Sequence, residues 1–78
     1  MNERLGKAYT YSMSIIINMI KQPELNVSEV IFIYRHLERC NLLASILANE
    51  FHDDSYIEAY KLNENEIIKR LPNLFIKN

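Results

Sequence analysis

The chain has 78 residues, 49% of them apolar, with one glycine, two prolines, one cysteine and a formal net charge of −1. That length holds one small domain with a single core, and the apolar fraction is too high for a disordered tail. Nine basic against ten acidic residues argue against a protein that works on phosphate backbones or anionic lipid.

A lone cysteine, Cys40, cannot close an internal disulfide, and Met1-Asn2-Glu3-Arg4 does not open like a secretory leader, so a reducing, cytoplasmic compartment is expected. Apolar runs such as Ile15-Ile16-Ile17 are far short of the roughly 20 residues a spanning helix needs, and a soluble protein without a membrane partner is expected. The abundance of Ile and Asn is the flavour of an AT-rich genome, bacterial or phage, and carries no mechanism.

With Gly6 the sole glycine, tight β-turns have little to turn on, and an all-α fold is the economical reading. A first helix is expected over 2–21, ending before Gln22-Pro23 because the residue before proline resists the α region. Its broad apolar stripe is Leu5, Ala8, Ser12, Ile15, Ile16, Met19 and Ile20, widened by Tyr9, Met13 and Ile17. Asn26 with Glu29 then forms a cap-plus-three pair that can satisfy two orphan N–H groups reciprocally, and Leu25 can staple onto Val30. A second helix follows over 27–51, roughly 37 Å long at 1.5 Å per residue.

That second helix carries a regular seam at steps of three and four: Val30, Ile33, Leu37, Cys40, Ala44, Leu47 and Phe51. Phe32, Leu42, Leu43 and Ile46 fall on or near the opposite side, so the helix reads as having two apolar surfaces. His52-Asp53-Asp54-Ser55 breaks the pattern, and Ser55 with Glu58 repeats the capping signal for a third helix over 55–71. Tyr56, Ile57, Ala59, Tyr60 and Leu62 form its apolar side. Asn63 with Glu66 gives the signal once more, which would split this helix in two. Pro72 ends it, and the apolar tail 73–78 is expected to pack on the first helix or on a partner. The expectation is one helical domain over 1–78, a three-helix bundle, or four if the last helix is broken, built round the long central helix and completed by dimerisation.

Nothing in the chain reads as an enzyme. One glycine cannot build a phosphate-cradling loop, and no serine sits in a nucleophile elbow. His36 and Cys40, four apart, could ligate a metal, but a zinc site needs three or four ligands and the other histidine, His52, is distant in sequence. Cys40 therefore reads as a small core hydrophobe and His36 as a boundary residue, with no cofactor and no small-molecule substrate expected. His52 with Asp53 and Asp54 reads as a helix end followed by capping acids.

The feature that remains is the second apolar surface. Burying Phe32, Leu42, Leu43 and Ile46 would contribute on the order of 6–12 kcal/mol before association costs. They are expected to anchor a partner, a second copy or a larger protein, with Arg35 and Arg39 setting register at the rim. The function this implies is a non-enzymatic interaction module: a homo-oligomeric regulator, inhibitor or adaptor. The alternative is a small dimeric DNA-binding regulator that pairs through the second helix and gathers Arg35, Arg39 or the terminal basic residues on one surface. Nucleic acid is the less favoured partner, because the second helix contains no turn and the third carries Glu58, Glu64 and Glu66.

Overall fold

The computed structural model describes residues 2–71. Among them three helices follow one another, α1 (Asn2–Met19), α2 (Val27–Phe51) and α3 (Ser55–Arg70), and the fold is a small all-α bundle. The apolar tail 73–78 lies outside the described residues.

α1 stops two residues short of the expected end. Lys21 N–H donates to the Asn18 carbonyl at 3.3 Å and Gln22 N–H to that of Met19 at 3.2 Å. These i→i−3 bonds tighten the last turn ahead of Pro23. α2 starts as its sequence requires: Glu29 N–H donates to Asn26 Oδ1 at 2.8 Å, and Asn26 N–H donates to Glu29 Oε1 at 2.9 Å. Leu25 is buried and shares an apolar cluster with Val30, the two positions that staple the entry to the helix. At the other end His52 takes the left-handed conformation, φ 56°, and both its N–H and that of Asp53 donate to the Leu47 carbonyl.

Two expectations about α3 need correcting. Ser55 is its first helical residue and not its cap; the Asp53 carboxylate accepts both the Ser55 N–H, at 3.1 Å, and the Ser55 hydroxyl, at 2.6 Å. Nor does the helix restart at Asn63, for α3 runs unbroken to Arg70. Asn63 lies half-buried within this continuous helix.

α1 and α3 each lie along α2 and meet one another only briefly, giving a body of 42 × 19 × 15 Å. The seam of α2 faces inward over its middle, where Ile33, Leu37, Cys40, Ala44 and Leu47 are all buried; Val30 at one end is half-buried, and Phe51, in the last turn, is exposed, a correction to the expected seam. α1 contributes Tyr9, Met13, Ile16 and the flanking Ile20; α3 contributes Tyr60 and Ile67, and Leu71 closes the cluster. Leu62, expected on the apolar side of α3, is 73% exposed.

Gly6 has a packing role. A Cβ built there would lie 2.5 Å from the Tyr56 hydroxyl oxygen and 3.0 Å from Cζ of the same ring. The missing side chain lets Tyr56 cross α1 and meet Tyr9 edge to face, with centroids 5.2 Å apart. Alanine at Gly6 gains about 1 kcal/mol of helix propensity but must displace that ring. The expected outcome is a sign reversal: Gly6→Ala destabilises the wild-type chain, yet stabilises a Tyr56→Ala variant by about 1 kcal/mol, as read by urea denaturation of the four proteins.

Candidate functional site

The six residues expected to form one surface are distributed round α2. Leu43 is 9% exposed and belongs to the core, Ile46 is half-buried, and Leu42 is 62% exposed. Successive residues are about 100° apart on a helix, so Leu42 sits roughly 180° from the seam at Ile33 while Leu43 falls about 80° from it, within reach of a packed neighbour. The structure thus separates two adjacent leucines that the pattern had grouped. Phe32, Arg35 and Arg39 do come together, lining with His36 an open groove of about 230 Å³.

The groove is built from few interactions. The Phe32 and His36 rings meet edge to face with centroids 4.4 Å apart, and His36 Nδ1 is buried without a hydrogen-bond partner among the described residues. Arg39 Nε donates to the fully buried Ser12 hydroxyl at 3.0 Å, so this guanidinium is tied to α1. Arg35 stands exposed. The depression continues past Phe32 toward Ser28 and Ile31 on one side, and toward Met19 and Asn26 on the other. Ile31, 48% exposed, is the member the sequence pattern missed. It is eleven residues from Leu42, three helical turns, which sets the two on one face.

Cys40 is fully buried, and its thiol donates to the Tyr9 carbonyl at 3.7 Å. Among the described residues no three His, Cys, Asp or Glu side chains gather as a metal site would require. Arg4 and Lys7 lie near the start of α1, beside the start of α3, whereas Lys69 and Arg70 occupy the last turn of α3, most of a helix length away. Among the described residues no helix is long and apolar enough to cross a membrane. Compared with known proteins, the chain matches no family model, no curated protein and no solved structure.

Burial pushes the Cys40 thiol up to about 11 from an ordinary 9.0, a pull that neighbouring Arg39 only partly offsets. Burial likewise raises Tyr9 and Tyr60, the latter helped by the hydrogen bond its hydroxyl donates to Glu64 at 2.8 Å. Each raised group favours the fold fully below its unfolded value, and that contribution is lost as pH rises through the folded value. Stability measured by denaturation is therefore expected to hold up to about pH 9 and to fall toward pH 11, by roughly 1.4 kcal/mol for each pH unit per ionising group. Cys40→Ala should delay the onset until the tyrosines titrate. The two leucines give a second expectation. At low protein concentration Leu42→Asp should change unfolding free energy by less than about 0.5 kcal/mol, whereas Leu43→Asp, burying a charge, should cost about 3 kcal/mol or more.

Proposed function

We propose that this chain is a non-enzymatic interaction module, a regulator, inhibitor or adaptor that works by holding another polypeptide against the side of α2 that α1 and α3 leave uncovered. One observation carries the proposal: Ile31, Phe32 and Leu42 are 48%, 41% and 62% exposed on a single rigid helix, beside the guanidinium-lined groove of Arg35 and Arg39. Single exposed apolar side chains are ordinary, but a run of them along one helix, rimmed by charge, is the composition of a docking surface. The depressions along it are open and shallow, a form that accepts the edge of another helix.

The test uses Ile31→Asp together with Leu42→Asp, both outside the core. Wild-type protein should associate, with itself in light scattering or with a captured protein from a bacterial lysate. The double variant should lose that association while keeping its helical circular dichroism. Association undiminished in the variant would overturn the proposal.

A further inference from the structure

Opposite its buried seam, α2 carries a second repeat. Ser28, Ile31, Arg35, Glu38, Leu42 and Ser45 follow at steps of three, four, three, four and three, all exposed except the half-buried Ser45. Such a stripe packs against another helix at a shallow crossing angle. Its order of residues is a palindrome in character: small polar, apolar, cation, anion, apolar, small polar.

We infer that the occupant of this face is a second copy of the chain, with the two α2 helices antiparallel about a two-fold axis level with the bond between His36 and Leu37. The inference rests on the reading of α2 as a docking surface and specifies its partner. In that register Ile31 of each copy meets Leu42 of the other, and Arg35 of each meets Glu38 of the other, so both apolar contacts and both charge pairs occur twice. Ser28 faces Ser45 at either end, where small side chains let the backbones approach. Phe32, flanking the stripe, falls beside Arg39 of the second copy, a cation over or near a ring.

The alternatives lose this complementarity. A parallel pair in register sets Arg35 on Arg35 and Glu38 on Glu38, like charges that repel. Sliding one antiparallel helix by a heptad sets Ile31 against Arg35 or Asn49. A closed two-fold contact also uses the same patch on both copies, so the exposed stripe is consumed without leaving a free edge for further growth. The contact is short, and a dissociation constant on the order of micromolar is expected.

The experiment is a charge swap read by sedimentation of the full chain over a concentration series, with circular dichroism to confirm folding at these exposed positions. Arg35→Glu and Glu38→Arg should each raise the dimer dissociation constant about tenfold or more, because each creates two like-charge contacts. The double variant should return to within about twofold of wild type. Oxidation with oxidised glutathione gives the register: Ile31→Cys combined with Leu42→Cys should form a covalent dimer. Neither single variant should do so, since copies of one position lie about 16 Å apart along the axis. A wild-type chain that stays monomeric at every concentration overturns the inference, as does a charge swap that fails to recover dimerisation or a single cysteine variant that cross-links to itself. A monomer that still captures another protein through Ile31 and Leu42 overturns this pairing alone and leaves the docking role of α2 standing.

Discussion

One helix with a stripe of five buried side chains must be covered by two shorter ones, and the rest of the molecule follows from that constraint. Ile33, Leu37, Cys40, Ala44 and Leu47 occupy a narrow arc of α2. α1 and α3 settle on either flank of that arc and complete a single core with Tyr9, Met13, Ile16, Tyr60 and Ile67. Two neighbours cannot surround a helix, so among the described residues the arc opposite the seam is left exposed. The exposed face is thus a geometric consequence of having three helices, and it carries Ile31, Phe32 and Leu42.

The polar interactions serve the same arrangement. Asn26 with Glu29 starts α2, and Asp53 starts α3 by receiving both donors of Ser55. Ser12, wholly buried, is satisfied by the Arg39 guanidinium, which clamps α1 to α2 at the edge of the Phe32 groove. Arg39 therefore belongs to both the fold and the proposed interface, while Arg35 is left to act outward. Where α1 and α3 touch, the absence of a side chain at Gly6 decides the spacing, and two tyrosine rings fill the gap.

A docking face on α2 has a mechanical advantage over one on a loop. The helix is pinned at both ends by capping and along its length by the core, so a partner meets side chains already held in place and loses less entropy on ordering them.

The sequence alone determined the elements. The seam spacing, the Asn26–Glu29 pair, Pro23 and the break at His52 are local signals, and each acts through hydrogen bonds or sterics within a few residues of itself. The three helices and the inward face of α2 were therefore legible in it. Tertiary structure decided what depends on neighbours distant in the chain. Leu42 and Leu43 differ by about 100° on the helix, and only the position of the packed helices assigns one to solvent and the other to the core. Ser12 and Arg39 are 27 residues apart, and Gly6 and Tyr56 farther still. The Asn63 cap signal did not break α3, and Asn63 sits half-buried in the middle of a continuous helix. A face is fixed by what covers it, and covering is a property of the assembled helices, not of any one stretch of chain.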